Sequence, residues 1–224
     1  MRGVLRRTPS AISERLPDPA PKKKSVVREY AEALIVAILL ALFIRTFVVQ
    51  AFVIPSGSML PTLQIGDYVL VNKFIYRFRP IHRDDIIVFK YPKNEAEDYI
   101  KRVIGLPGDT LEIRGTQVFI NGRPLDEPYA VYGSTPFGAV TRNALGPIQI
   151  PPGKLFMMGD NRDNSLDSRF WGLLDEKKVE GKALLVYFSD RSEDVPNASW
   201  VVRMVYVLVH PSLVRWNRIG MLVH

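Results

Sequence analysis

The clearest indication of the fold class is the stretch Tyr99-Ile-Lys-Arg-Val-Ile-Gly-Leu-Pro-Gly-Asp-Thr-Leu-Glu-Ile-Arg-Gly-Thr-Gln-Val-Phe-Ile120. It contains three short segments rich in apolar residues, at 99–104, 111–113 and 117–120. Valine, isoleucine, phenylalanine and tyrosine favour strands, whereas the glycine and proline residues between the segments favour turns. The spacing from Ile113 to Val118 across Gly115 is that of a β-hairpin. The stretch therefore predicts three consecutive strands.

The same pattern continues through most of the chain after residue 49. Four further apolar segments have the length of strands and are bounded by turn residues, at 68–72, 86–89, 155–158 and 183–188. No stretch of useful length in this region has a helical period. We therefore predict a mainly β fold for residues 49–224.

Length and composition suit one domain with an appendage, since the chain has 224 residues and a mass of 25.4 kDa. With 47% hydrophobic and 24% charged residues, the chain is too apolar for wholesale disorder and too charged for a transporter with many spans. The absence of cysteine excludes disulfides, thiolate zinc sites, iron–sulfur clusters and cysteine nucleophiles.

Positive charge is concentrated at the N-terminus. Residues 1–30 contain eight Lys and Arg against three Asp and Glu, which is a net charge of +5. The whole chain carries +7, so residues 31–224 carry only +2. This distribution does not support a nucleic-acid-binding surface on the body of the protein, and no nucleic acid is expected as a partner.

Residues 28–48 predict a transmembrane helix. They follow a basic tail, residues 1–27, which contains a proline-rich linker. Their length gives about 31 Å of helix, which matches the hydrocarbon core of a bilayer. Arg45 lies near the far end of the span, where its side chain can reach the headgroups. The basic tail predicts a cytoplasmic N-terminus, with the rest of the chain exported.

Two alternatives to an uncleaved anchor are a buried core helix and a cleaved signal peptide. No partner helix of similar apolarity is apparent, which disfavours a core helix. Val49-Gln-Ala51 has the small residues of a cleavage site, but the apolar run is long and continues directly into a motif of functional character.

A second apolar segment, Val201–Val209, contains Arg203 and is too short to span as a helix, so we expect a late strand or an interfacial segment there.

Few residues are candidates for hydrolytic chemistry. The chain has three histidines, none with the spacing of metal ligands, and His82 lies in a polar loop where a solvated surface residue is expected. No Gly-x-Ser-x-Gly motif of a Ser-His-Asp triad is present. No metal and no cofactor is therefore expected.

Two segments have a composition that is unusual for segments with a purely structural role. In Ile54-Pro-Ser-Gly-Ser-Met-Leu-Pro-Thr-Leu63, two serines flank a glycine between two prolines, which can hold one hydroxyl rigidly. An ordinary turn is the alternative. Gly159-Asp-Asn-Arg-Asp-Asn-Ser-Leu-Asp-Ser-Arg-Phe-Trp-Gly172 concentrates charged and polar residues after a predicted strand. A solvated acidic loop is the alternative, although no Glu occupies the twelfth position that a Ca²⁺ loop requires.

Lys101 lies among apolar neighbours in the first quoted stretch. Burial would lower the pKa of its ammonium group by disfavouring the charged form. A neutral lysine can take a proton from a serine hydroxyl, as in Ser-Lys hydrolases. A solvated charge on an edge strand is the alternative interpretation.

Three motifs together carry more weight than each alone. Residues 55–63, 99–109 and 159–169, in this order behind an N-terminal anchor, resemble the bacterial type I signal peptidases. The resemblance covers the anchor and nearly all of the exported part. It implies two coupled antiparallel β-sheets in an extracytoplasmic peptidase domain, residues 49–224, with a variable second β region at 115–150. It also implies a single-pass protein of the cell membrane.

The implied activity is that of a metal-free serine endopeptidase with a Ser-Lys dyad. Such an enzyme removes signal peptides from exported preproteins by cleaving after small residues in an Ala-x-Ala-like pattern. Ser58 would be the nucleophile and Lys101 the general base, and the Ser58 N–H with the Ser56 hydroxyl would form the oxyanion hole. The expected partners are these signal peptides, the lipid bilayer and the secretion translocon nearby.

The resemblance also implies supporting roles for five further residues. Ser165 would orient the general base, while Asp167 and Arg169 would hold the loop that carries Ser165. Asp160 would pair with Arg102.

Two rival functions are considered. One, from another class, is a catalytically silent anchored β-domain that binds exported chains, which would require Ser58 or Lys101 to be missing. The other is a Ser-Lys protease of the same fold with a dedicated task, such as self-cleavage or the maturation of one pilin or toxin. An autoprotease would usually carry a DNA-binding domain, and no helix-turn-helix pattern is visible.

Overall fold

The computed structural model describes residues 26–43, 49–133, 144–191 and 200–224. The chain divides into two units, Met1–Ala41 and Leu42–His224. Helix α1, Val26–Phe43, contains no buried residue. Within the described ranges, no helix is both long and apolar enough to cross a membrane. The predicted anchor extends to residue 48, and its residues 44–48 lie outside the described residues.

Strands are the main regular secondary structure of the second unit, which confirms the predicted mainly β fold with two antiparallel sheets. In chain order the strands are β1 Val49–Val53, β2 Asp67–Asn72, β3 Ile86–Tyr91, β4 Asn94–Gly105, β5 Thr110–Arg114, β6 Gln117–Ile120, β7 Arg123–Pro124, β8 Ala144–Gln149, β9 Lys154–Met158, β10 Leu174–Asp175 and β11 Val179–Ser189. The seven-stranded sheet has the order β1-β2-β11-β3-β4-β9-β10, and the four-stranded sheet has the order β7-β6-β5-β8.

Strand β4 lies inside the large sheet and fixes the position of Lys101. On one side, Lys101 is opposite Ile87 of β3. On the other side, Arg102 is opposite Met158 of β9. Because successive residues of a strand point to opposite faces, Lys101 and Arg102 project from opposite faces of the sheet.

Both faces of the large sheet are packed. On β3, Ile86 and Val88 belong to one apolar cluster, whereas Ile87 and Phe89 belong to another. This alternation follows from the two-residue period of a strand. The segment that carries Ser58 lies on the first cluster, since Met59 is one of its members.

A third apolar cluster couples the two sheets. It joins Ile104 and Phe156 of the large sheet to Leu111 and Val118 of the small sheet. The predicted hairpin is confirmed, with Arg114 opposite Gln117. The small sheet begins at Thr110, five residues before the predicted variable region, and residues 134–143 of that region lie outside the described residues.

Two short helices are also present: α2, Ser168–Trp171, lies between β9 and β10, and α3, Trp200–Val209, follows β11. The expectation of a late strand at Val201–Val209 is therefore wrong, as is the expectation that no useful helix follows residue 49. The segment is rich in valine, which favours strands, but its valines do not all face the same way. Val207 is buried, whereas Val202, Val205 and Val209 are exposed. His82 is exposed, as predicted.

Candidate active site

Ser58 lies in a 3-10 turn, Gly57–Met59, that follows strand β1. The turn is fixed on its N-terminal side by Ile54, whose N–H donates to the Asp67 carbonyl oxygen at 2.9 Å. The side chain of Met59 is fully buried in the core just after Ser58. Ser58 itself is 7% exposed. Its hydroxyl is therefore held by a turn that is anchored on both sides.

Lys101 provides the direct partner of this hydroxyl. Its Nζ lies 2.7 Å from Ser58 Oγ and donates a second hydrogen bond to the Ile100 carbonyl oxygen at 2.9 Å. Lys101 is 4% exposed, which excludes the alternative of a solvated edge-strand charge. Burial lowers the pKa of the Lys101 ammonium group to about 8, although the carboxylates of Asp167 and Asp160 act in the opposite direction.

Ser56 lies on the open side of the same turn. Its Oγ is 3.5 Å from Ser58 Oγ, and its side chain is exposed. The two serine hydroxyls therefore lie next to each other at one site. From this position, the Ser56 hydroxyl can donate to an atom bound next to Ser58.

The loop after strand β9 is bonded to the Ser58 turn by its backbone and by one amide side chain. The Asn161 N–H donates to the Ser58 carbonyl oxygen at 3.1 Å, and Asn161 Nδ2 donates to the Gly57 carbonyl oxygen at 3.1 Å. Asn161 was not predicted as a site residue. Its presence inside the third motif is the signal that could have identified it.

Asp160 and Arg102 form a buried ion pair, and the resemblance implies the same pair. Arg102 Nε and Nη2 donate to the two carboxylate oxygens of Asp160 at 2.8 and 2.7 Å. Both side chains are at most 1% exposed. The Thr62 hydroxyl donates to the same carboxylate at 2.6 Å, which ties the pair to the segment after Ser58. Thr62 belongs to the first motif, but its role was not predicted.

Asp167 and Arg169 form the second buried pair. Arg169 Nε donates to Asp167 Oδ1 at 2.8 Å, and Arg169 Nη2 donates to Oδ2 at 2.9 Å. Asp167 also accepts the N–H of Gly159 at 3.1 Å and caps helix α2. The carboxylate thus joins the beginning and the end of the loop 159–169.

Ser165 lies inside this loop and is 5% exposed. Within the described part of the chain, its Oγ is buried and has no hydrogen-bond partner. A Cβ built on Gly159 would lie 2.4 Å from Ser165 Oγ and 2.4 Å from the Ser58 carbonyl oxygen, so the serine packs next to the Ser58 turn. The hydrogen bond to Lys101 that an orienting role for Ser165 implies is therefore not formed among the described residues.

A contact between residues 127–131, which follow strand β7, and the loop 159–169 was not predicted. Arg162 Nη2 donates to Glu127 Oε1 at 2.6 Å, and both side chains are at most 6% exposed. The Arg162 N–H donates to the Val131 carbonyl oxygen at 2.9 Å. The guanidinium of Arg102 lies 3.8 Å from the ring centroid of Tyr129. The segment 127–131 contains no sequence signal for this contact, because its partners are about 30 residues away.

A cleft of about 340 Å³ opens beside Ser58 and Lys101. Its walls come from three parts of the chain: residues 55–58, residues 98–101, and Asn164 with Leu166. One of these walls, residues 98–101, is strand backbone, so an extended peptide can lie along it and reach Ser58.

Comparison with known proteins shows which family the chain belongs to. The family described as signal peptidase, peptidase S26, matches residues 27–188. The signal peptidase I of Leptolyngbya laminosa is 42% identical over 177 residues, which cover 75% of this chain and 83% of that protein. The signal peptidase I of Pseudomonas aeruginosa is 36% identical over an alignment of 236 residues, which covers 83% of each chain.

Two further matches are a curated relative and a solved structure. The signal peptidase I S of Bacillus subtilis is 39% identical over 173 residues, which cover 75% of this chain and 91% of that protein. A crystal structure of a signal peptidase I from Enterococcus faecalis matches 46% of this chain and 97% of that chain, with 33% identity and a TM-score of 0.37. The family model and the curated relatives cover most of the chain. The protein is therefore a serine endopeptidase that belongs to the signal peptidase family, peptidase S26.

Proposed function

We propose that this protein is a membrane-anchored signal peptidase, which removes N-terminal signal peptides from exported preproteins with Ser58 as nucleophile and Lys101 as general base. The observation that carries the proposal is the 2.7 Å separation of Lys101 Nζ and Ser58 Oγ in a buried site. The relatives named signal peptidase I supply the substrate class.

Proton transfer follows from the pKa of Lys101. Above about pH 8 its amine is neutral, and Nζ can accept the proton of the Ser58 hydroxyl as Oγ attacks the scissile carbonyl carbon. The C–N bond of the tetrahedral intermediate then breaks, and the Lys101 ammonium gives its proton to the leaving amine. Water attacks the acyl-enzyme in the second half, again with Lys101 as the base. Each cycle returns Ser58 and Lys101 to their initial states.

The negative oxygen of the intermediate needs hydrogen-bond donors. We assign this role to the Ser58 N–H and to the Ser56 hydroxyl, which lies next to Ser58 at the mouth of the site. Donors that are already in place when charge develops stabilise the transition state without reorganisation. Because Ser56 is exposed, its hydroxyl can turn toward the substrate once the cleft is occupied.

Orientation of the base is assigned to Ser165. Its buried Oγ has no partner among the described residues and packs next to the Ser58 turn. A hydrogen bond to the Lys101 amine would satisfy this oxygen and hold the lone pair of Nζ toward Ser58. The two buried ion pairs, Arg102 with Asp160 and Arg169 with Asp167, keep the loop in place for this contact.

Cleavage after small residues is assigned to this cleft of about 340 Å³. A peptide in the cleft has its scissile bond beside Ser58, between the Ser58 turn and residues 98–101 of β4. An Ala-x-Ala-like pattern places small side chains at the two positions of an extended peptide that face the same wall.

Membrane attachment is assigned to residues 28–48. Helix α1 covers most of this segment, and leucine and isoleucine side chains such as Leu34, Ile35 and Leu39 are more than half exposed. The excess of basic residues before the helix favours a cytoplasmic N-terminus, with the peptidase domain outside the cytoplasm. Such an enzyme shares the bilayer with its substrates and with the secretion translocon, which raises their effective concentration.

The test uses detergent-purified wild type and the Ser58→Ala variant. Each is mixed with several precursors that carry an Ala-x-Ala site, and the new N-terminus of the product is sequenced. Cleavage after the second alanine by wild type alone is the expected result. Folded wild type that leaves all precursors intact, or an active Ser58→Ala variant, would contradict the proposal.

A further inference from the structure

We propose that Asn161 is a positioning residue, which directs the Ser58 N–H toward the substrate oxygen that becomes negative during cleavage. The inference rests on the function proposed above, in which this N–H is one donor of the oxyanion hole. It adds a residue outside the Ser-Lys dyad to the machinery of the reaction. It is carried by the two peptide groups that Asn161 holds, by the fixed backbone of Asn161 itself and by the place of the cleft.

The peptide group between Gly57 and Ser58 contains the N–H in question. Asn161 Nδ2 donates to the Gly57 carbonyl oxygen at 3.1 Å, and the Leu60 N–H donates to the same oxygen at 3.2 Å. These two hydrogen bonds fix the direction of the carbonyl. The peptide bond is trans and planar, so its C=O and its N–H point in opposite directions. A fixed carbonyl at Gly57 therefore fixes the direction of the Ser58 N–H.

The next peptide group, between Ser58 and Met59, is held by the same residue. The backbone N–H of Asn161 donates to the Ser58 carbonyl oxygen at 3.1 Å. Asn161 thus binds the peptide groups on both sides of the Ser58 Cα. The orientation of these two groups sets the two soft dihedral angles of Ser58. The N–H and the side chain of Ser58 therefore leave the backbone in defined directions.

Asn161 is itself fixed by backbone hydrogen bonds. The Val131 N–H donates to the Asp160 carbonyl oxygen at 2.8 Å, and the Arg162 N–H donates to the Val131 carbonyl oxygen at 2.9 Å. These two bonds involve the residues directly before and after Asn161. The Asn164 N–H also donates to the Asn161 carbonyl oxygen at 3.0 Å. A residue held in this way can keep a donor in place before charge develops, which is the condition for stabilising an oxyanion without reorganisation.

The cleft lies where the Ser58 N–H can meet a substrate. Gly57 and Ser58 form part of the wall of the cleft of about 340 Å³, which Lys101 also lines. Asn161 occupies the carbonyl side of the peptide group between Gly57 and Ser58, so the N–H side is left for a molecule in the cleft. When Ser58 Oγ attacks a scissile carbonyl there, the carbonyl oxygen receives the hydrogen bond of this N–H.

Asn161→Ala removes the side-chain hydrogen bond but keeps the backbone N–H that holds the Ser58 carbonyl. The Gly57 carbonyl then retains only the bond from Leu60, and the Ser58 N–H can tilt. Loss of an oxyanion donor lowers kcat by about 100- to 1000-fold. For a donor that is tilted but present, we expect kcat to fall by about 10- to 100-fold with KM unchanged, as for an interaction made only in the transition state.

Asn94→Ala is the matched control. The Asn94 amide also donates a side-chain hydrogen bond, to Glu97 at 2.7 Å, but at an exposed position at the beginning of β4. Its kcat and KM for a precursor should equal those of wild type.

Two ligands separate a positioning role from a merely structural one. With a peptidyl aldehyde that ends in Ala-x-Ala, Ser58 Oγ bonds to the aldehyde carbon, the π electrons of the C=O bond move to its oxygen, and the hydroxyl proton passes to Lys101 Nζ. The same peptide ending in an alcohol can occupy the cleft but offers no carbon for attack. Calorimetry on the detergent-purified full chain measures the affinity of both ligands for wild type, Asn161→Ala, Asn94→Ala and Ser58→Ala.

In Asn161→Ala, the affinity for the aldehyde should fall by about the same factor as kcat, because both report the stabilised oxyanion. The affinity for the alcohol should equal that of wild type, which also shows that the site is folded. An equal loss for both ligands would overturn the inference, and so would a wild-type kcat with wild-type aldehyde affinity. If wild type, like Ser58→Ala, binds the aldehyde no more tightly than the alcohol, Ser58 is not the nucleophile, and the proposed function fails together with this inference.

Discussion

Gly159 packs so closely on Ser58 that a Cβ at position 159 would lie 2.4 Å from the Ser58 carbonyl oxygen. No other amino acid fits this contact without moving the turn that carries the nucleophile or the loop that carries Ser165. The glycine that opens the third motif thus connects two parts of the active site that are about 100 residues apart in the chain. The first prediction follows from this contact.

Gly159→Ala should reduce kcat/KM by on the order of 100-fold, because a displacement of about 1 Å of a reacting group has effects of that size. We also expect a loss of roughly 1–3 kcal/mol in the free energy of unfolding from overpacking. Steady-state kinetics and urea unfolding measure the two effects. The matched control is Gly146→Ala on β8, where a Cβ would meet no atom within 4 Å. Equal kinetics of the two variants would contradict the predicted contact.

Asp160→Asn should destabilise the protein by about 3–5 kcal/mol, because the substitution leaves the buried Arg102 guanidinium without its counterion. Urea unfolding measures this difference. Glu112→Gln provides the control, since it breaks an exposed pair with Arg114 on the small sheet and should change stability little. If both variants unfold at the same urea concentration, the pair of Asp160 and Arg102 does not stabilise the site as described.

Glu127→Gln should loosen the loop 159–169, although residue 127 lies outside all three motifs. The loss of the buried carboxylate leaves Arg162 unpaired, and we expect a cost of about 3 kcal/mol. Amide hydrogen exchange should become faster within the loop, with a smaller change in the strands. Asp126→Asn, at the exposed neighbouring position, should leave exchange unchanged. Unaltered exchange in Glu127→Gln would show that the loop does not depend on the ion pair of Glu127 and Arg162.

The strands with clear alternation were predictable from the sequence. In β2 the burial alternates residue by residue, and the hairpin of β5 and β6 follows from the turn at Gly115. Strand β8 was missed because Gly146 and Pro147 interrupt it, and β1 was missed because it continues the apolar run of the predicted anchor. Helix α3 lies where a late strand or an interfacial segment was expected, since short apolar runs do not reveal their period.

The residues of the candidate site that lie within the three motifs could be predicted from the sequence. Ser58, Lys101 and the two ion pairs were found in this way, and the structure brings them together. Glu127 and Tyr129 could not be predicted, because they act through contacts between distant segments. A single sequence shows local spacing but not which loop of one sheet packs on a loop of the other.

The central claim is that neutral Lys101 takes the proton of Ser58, and the pH dependence of kcat/KM tests it most directly. Burial lowers the pKa of Lys101 to about 8, so the amine is protonated and inactive at lower pH and neutral above it. We expect kcat/KM for a precursor to rise about tenfold per pH unit below pH 8 and to reach a plateau above it. A rate independent of pH from about pH 6 to 9, or a Lys101→Ala variant that retains activity, would contradict the account.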